Sequence, residues 1–272
     1  MMTSSSASAV FIRRSAGVLL AGLLALALAS CDDDDNPAEP QTKTYFGDTV
    51  TMGNGSARSF VTLDKNGVPT EVGARMTEAA LTGLPTTDPV PPTPPTWFRL
   101  PLPAEAAKTA YDHVSVDWNP NGHEPAGVYT SAHFDVHFYM MTLAQRQQIQ
   151  LNDPKGEILP EARFLPSGYI SPPGPVNTIP MMGRHWVDPT GHEFHGQAFT
   201  QTFIYGSYDG KINFMEPMIA KTTLAAKTTQ TFEVQQPQAF QLTGRYYPTK
   251  YTIAFDQQAK EHVVVLHDMV LR

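Results

Sequence analysis

Proline and glycine punctuate this sequence so often that no long helix can be drawn through it. The 24 prolines and 19 glycines among 272 residues follow no collagen period and cut the chain into short runs. Proline blocks helix continuation, and glycine supplies the turn conformations that successive strands need. Many runs alternate apolar with polar residues, the period of a strand with one buried face. Residues 45–70 alternate in this way and break at Gly53-Asn-Gly55 and Lys65-Asn-Gly67, where two hairpin turns are expected. Strands are also expected over residues 199–208 and 211–219, joined by Asp209-Gly210, and over 230–242, 246–255 and 262–271. Residues 71–84, 103–110 and 144–151 read as short helices, and the prolines of 152–182 as a long ordered loop or lid. The expected fold is mainly β: a β-sandwich or partly closed barrel with one to three short helices and long proline-rich loops. At 41% hydrophobic and 17% charged the chain is apolar enough to fold, and its net charge of -7 argues against nucleic acid as a partner.

The first thirty residues read as an address. Arg13-Arg14, an apolar run over 17–28 and Ala29-Ser30 have the order of a secretory signal, and the run is too short to span a bilayer. Leu28-Ala29-Ser30-Cys31 resembles the bacterial lipobox. That resemblance implies that Cys31, the only cysteine, becomes the lipidated first residue of the mature chain, with a lipid bilayer as its partner. Asp32 to Asp35 resemble the export signal of surface lipoproteins in some Gram-negative bacteria, and a plain solvated spacer explains them equally. The expected location is therefore the cell envelope, on either face of the outer membrane. The domain reading is a signal over 1–30, an acidic tether over 31–43, a small N-terminal β unit over 44–85, a proline-rich connector over 86–97 and a main β domain over 98–272. The connector either separates two units or is a surface loop of one.

Chemistry concentrates around His133-Phe-Asp-Val-His-Phe-Tyr139. Alternation puts His133, Asp135, His137 and Tyr139 on one face and Phe134, Val136 and Phe138 on the other. Imidazole and carboxylate are ligands that borderline divalent metals take. Two histidines four residues apart on a strand are about 13 Å apart at the backbone, so both reach one ion only if the strand twists or bulges. Otherwise Asp135 pairs with one of them or orients it from behind. Glu216 shares an apolar face with Ile212, Phe214 and Met218, so it is paired, protonated, bound to metal, or at an edge where Pro217 ends the strand. His185 follows a turn at residues 180–183. The candidate ligands are His133, His137, His185 and Glu216, with Asp135 and His123 as supports or extra ligands, for Zn, Mn, Fe or Cu. A shared ion requires ring nitrogens of His137 and His185 within about 6 Å. His192 and His195, flanking Glu193, form a weaker loop candidate, and His113, His262 and His267 read as structural.

Gly127 followed by His133 and His137, then Gly174 followed by Pro180 and His185, resemble the two cupin motifs in spacing. The chain departs from them in having His-x-x-x-His, with Thr142 where an acidic ligand belongs. Gly122-His-Glu-Pro125, His133-Phe-Asp-Val-His-Phe-Tyr139, Met182-Gly-Arg-His-Trp186, residues 203–210 and Phe214-Met-Glu-Pro-Met218 together resemble an uncharacterised family of secreted or lipid-anchored bacterial β proteins over most of residues 45–220. That family implies no activity. Two functional classes follow: an anchored metal site, with a cupin-like metalloenzyme as one form of it, or a non-catalytic module that binds a glycan, a peptide or a second copy of the chain. No Gly-x-Ser-x-Gly elbow, phosphate-cradling loop or His-Glu-x-x-His helix points elsewhere.

Overall fold

Alternating residues become strands wherever a neighbouring strand takes up their backbone hydrogen bonds, and this chain supplies two sets of neighbours. The computed structural model describes residues 42–88, 96–172, 174 and 177–272. The signal segment, Cys31, most of the acidic tether and residues 89–95 of the connector lie outside the described residues. One sheet holds seven strands: β1 (Lys43–Phe46), β2 (Val50–Met52), β3 (Gly55–Leu63), β4 (Pro69–Thr77), β11 (Gln230–Glu233), β13 (Lys250–Asp256) and β14 (Glu261–His267). Its order is β1-β3-β4-β14-β13-β11, with β2 also on β3. The second holds six: β5 (Thr96–Pro101), β6 (His113–Asn119), β7 (His133–Tyr139), β8 (Arg184–Trp186), β9 (Gln201–Tyr208) and β10 (Lys211–Ala220), in the order β5-β6-β7-β10-β9-β8. A small pair, β12 (Tyr246–Tyr247) with β15 (Val270–Leu271), stands apart. Among the described residues the two α-helices are single turns, α1 (Leu143–Arg146) and α2 (Lys221–Ala225).

The sheets pack face to face as a β-sandwich and neither closes into a barrel. Val72, Ala74, Met76, Ile253, Val264 and Leu266 from one meet Val114, Val116, Phe134, Val136, Phe138 and Met215 from the other in one apolar core. The described residues all fall in one compact unit, Glu39–Arg272.

Several expectations change. Residues 71–77, the first half of the expected helix, are strand: β4 lies between β3 and β14, and a short 3₁₀ turn (Glu78–Leu81) follows. Val72, Ala74 and Met76 are buried at a period of two, so pairing on both sides overrides the helical preference of Ala, Met and Leu. That pairing also joins the strands of residues 44–85 to the C-terminal strands in one sheet, so they do not stand alone as a unit. The strand expected over 230–242 is only β11, ending ahead of Pro237, and residues 246–255 divide at Pro248 into β12 and β13. The turns at 53–55, 64–68 and 209–210 fall where expected.

Candidate metal centre

In a sandwich one face of each sheet meets the core and the other is normally wet. Here the outer face of the second sheet is polar yet buried. On β7 the side chains of His133, Asp135, His137 and Tyr139 point out while Phe134, Val136 and Phe138 point into the core, as the alternation requires. His113, Ser115, Asp117 and Asn119 of β6 stand level with Tyr139, His137, Asp135 and His133, so the two strands form a polar floor. Loops roof it. Tyr129, Phe199 and the half-buried Phe194 seal one end against Ile204 and Met218, and Met182 with half-buried Ile179 seals the other against Tyr139 and Phe214. The described residues of 152–182, a stretch expected as a long ordered loop or lid, are held down by buried Arg184. Its Nε donates to Gly156 O at 2.9 Å and its Nη2 donates to Gly174 O at 3.0 Å and to Glu157.

The floor carries two groups of ligand-type side chains. In the first, His137 Nε2 is 3.2 Å from Glu216 Oε2, and His185 Nε2 is 3.9 Å from the same oxygen. One ligand atom from each of the three lies within 4.8 Å of the others. Nitrogen and oxygen ligands at about 2.1 Å from a tetrahedral ion are about 3.4 Å apart, so these spacings suit one shared cation. The requirement that His137 and His185 approach within 6 Å is met. The second group is His123, His133 and Asp135.

The single site expected from His133, His137, His185 and Glu216 is thus divided, with His133 in the second group and the other three in the first. The reason is strand geometry: β7 pairs with β6 residue by residue without a bulge, so His133 and His137 stay a full four-residue rise apart. Asp135 Oδ1 lies 3.2 Å from His133 Nε2. Glu216 is not at an edge, because β10 lies between β7 and β9 and Glu216 is 1% exposed. Pro217 sits within the strand, where the pairing with β7 skips Glu216 and itself, consistent with its missing N–H. Of the cupin-like spacing, Gly127 and Gly174 both lie in loops, and the first group is drawn from β7, β8 and β10.

Burial sets the protonation. Desolvation lowers His137 to about 4 and His185 to about 3, so both rings are neutral at pH 7 and offer lone pairs. Desolvation, with the charges of Asp135 and Asp117 nearby, pushes the Glu216 carboxyl well above its ordinary value. Neither ring nitrogen of His137 has a hydrogen-bond partner, nor has Glu216 Oε2. Buried polar atoms left unpaired cost free energy that a bound cation would recover.

Neighbours hold the ligands in place. The His137 ring stacks on Tyr139 at 5.2 Å and meets the edge of Phe214 at 4.8 Å, and His185 packs on Phe214 at 5.2 Å. Phe214 fits because residue 206, opposite it on β9, is glycine: a Cβ there would come within 2.0 Å of the ring.

Three residues escaped the sequence reading. Asp117 Oδ2 lies 3.6 Å behind His137 Nδ1, accepts no hydrogen bond there, and its other oxygen takes the hydroxyl of Ser115. Arg146, 1% exposed, brings Nη2 to 3.7 Å from that carboxylate, lies over the rings of Tyr139 and Trp97, and donates Nε–H to Met181 O at 2.9 Å. Asn119 holds Asp135 through a 2.7 Å bond. The signal for the β6 residues was present, since His113-Val-Ser-Val-Asp-Trp-Asn119 alternates as β7 does. Arg146 carried none, sitting in a polar segment. His113 stacks on Tyr139 at 5.0 Å, with Nδ1 2.8 Å from Asp112 Oδ1. In the loop candidate, His192 Nδ1 lies 3.6 Å from buried Glu193.

No curated protein and no solved structure matches the chain. A family model described as TTHB210-like, hypothetical protein TTHB210, matches residues 64–118, from the β3–β4 turn through most of β6. Over that stretch the chain is similar to an uncharacterised family, and the stretch brings in Asp117 but none of His133, His137, His185 and Glu216.

Proposed function

We propose that this protein is an extracytoplasmic, lipid-anchored metal-binding β-sandwich in which His137, His185 and Glu216 hold one divalent cation, drawn from Zn, Mn, Fe and Cu. The observation that carries the reading is the buried contact of His137 Nε2 with Glu216 Oε2, two atoms without other partners, beside a second neutral imidazole. Asp117 places a buried carboxylate 3.6 Å behind His137 Nδ1, on the side where the outer supports of metal-binding histidines stand. Three protein ligands leave coordination positions for water or a substrate, so an ion held there supplies Lewis acidity.

The test is metal content by elemental analysis after loading with Zn2+ and desalting. The full chain is expected to retain an ion that His185→Ala loses while keeping its thermal transition, since His185 is 24% exposed at its side chain. A folded parent chain with no more metal than His185→Ala refutes the centre and leaves the sheet face as a polar surface of a binding module for a glycan, a peptide or a second copy of the chain.

Anchoring rests on the lipobox-like Leu28-Ala29-Ser30-Cys31. Labelled palmitate is expected to enter the chain in a Gram-negative host and to be lost in Cys31→Ala. Label unchanged by that substitution refutes the anchor.

A further inference from the structure

On the same floor, the second group of side chains is arranged around a point that calls for a positive charge. His133 Nδ1 lies 2.7 Å from Ser131 O and His123 Nδ1 lies 2.7 Å from Glu124 O. Carbonyl oxygens only accept, so both Nδ1 atoms carry hydrogen, and in a neutral ring Nε2 is then a lone pair. Both Nε2 atoms face one carboxylate, His133 at 3.2 Å from Asp135 Oδ1 and His123 at 3.4 Å from Oδ2. Lone pair against carboxylate repels unless a positive centre lies between them, either a proton or a metal ion; against desolvation Asp135 lifts His123 to about 9, so in the metal-free chain that ring carries the proton, which a bound cation would displace.

We propose that His123, His133 and Asp135 form a second divalent-cation site, sharing no ligand with that of His137, His185 and Glu216. The three ligand atoms lie within 4.8 Å of one another. His133 Nε2 and Asp135 Oδ1 are buried without a hydrogen-bond partner. Each ring is anchored through its far nitrogen by a backbone carbonyl, and the carboxylate is fixed by Asn119 Nδ2 at 2.7 Å from Oδ2, the outer support that metal-binding histidines and carboxylates have. The rings of His123 and His133 meet edge to face at 4.7 Å, and Phe199 packs on His133 at 5.5 Å, so the site is walled on its apolar side. His123, 39% exposed at its side chain, leaves it open to solution on the other. Two imidazoles and a carboxylate suit Zn2+ and its borderline neighbours rather than Ca2+ or Mg2+, which favour oxygen.

The experiment is titration of the chelator-stripped full chain with Zn2+ alone, read by calorimetry and elemental analysis, for the parent, His123→Gln, His185→Ala and the double variant. The expected stoichiometries are two, one, one and none. Asp135→Asn, in which an amide replaces the carboxylate at nearly constant volume, checks the same site should His123→Gln disturb the loop, and is expected to hold one ion. A parent chain that binds a single ion, lost in His185→Ala and kept in His123→Gln and Asp135→Asn, overturns the second site and leaves the first standing. An ion lost in His123→Gln and Asp135→Asn but indifferent to His185→Ala supports the second site and refutes the first. A parent that binds none overturns both.

Discussion

Replacing Arg146 with methionine is expected to lower the unfolding free energy by about 3–5 kcal/mol and the midpoint of thermal unfolding by roughly 10 °C. Methionine keeps the length and the apolar stem, so the loss isolates the guanidinium. That group is 1% exposed and faces a carboxylate that is itself fully buried. Burial already raises the Asp117 carboxyl above its usual value, against the pull of His137 and Arg146. Without the arginine the carboxylate keeps only Ser115 and a neutral His137, and the ring faces of Tyr139 and Trp97 lose their cation. Asp117→Asn in the Arg146→Met background removes the stranded charge and is expected to return part of the loss. Chemical denaturation of the two single variants and the double variant measures the coupling. Additive effects within about 0.5 kcal/mol would mean that the two side chains do not act on each other.

Glu216→Gln is expected to weaken Zn2+ binding at the first centre by about a hundredfold or more, since losing even an outer support of a metal ligand costs tenfold to a hundredfold. The metal-free protein responds differently. A carboxyl raised by folding contributes stability below its unfolded value, near 4.5, and loses it as pH rises through the folded value. Glutamine resembles the protonated acid, so metal-free Glu216→Gln is expected to gain on the parent as pH rises above 4.5. His137 and His185 act in the opposite sense. Their stability contributions are present above 6.5 and lost as pH falls towards about 4 and about 3. The difference between the two proteins across pH 4.5 to 8, from urea melts in chelator, therefore reports the Glu216 carboxyl together with its effect on the His137 ring 3.2 Å away. Zn2+ binding to the parent displaces the Glu216 proton, so calorimetry in buffers of different ionisation enthalpy should show proton release that Glu216→Gln lacks. Equal release from both proteins would mean that Glu216 is already ionised before the metal arrives.

The turn chemistry and the period of two were legible because they are local. Asp209-Gly210 marks its hairpin, and both residues adopt the positive φ such a turn needs, 53° and 74°. The strand at residues 71–77 was not legible, because Ala74 and Met76 read equally well at helical spacing until β3 and β14 flank them. The ligand types were legible on β7, and their grouping was not. Whether His137 meets His185 and Glu216 or His133 depends on β8 and β10, which are distant in sequence, and on Pro217 lying within a central strand, a position that proline seldom takes. Arg146 is the clearest case: nothing in Leu143-Ala-Gln-Arg146 announces a buried cation, and only the placement of helical turn α1 over Tyr139 makes it one.

The seven residues of β7 serve two compartments at once. Its odd-numbered side chains furnish the walled polar chamber outside the sandwich and its even-numbered ones the greasy seam within, all of them buried. A slip of one position against β6 or β10 would exchange the contents of the two, putting imidazoles into the seam and phenyl rings among the ligands. Folding in the correct register and assembling the chamber are thus a single event for this strand, and a chain that retains its ligands has also proofread its core.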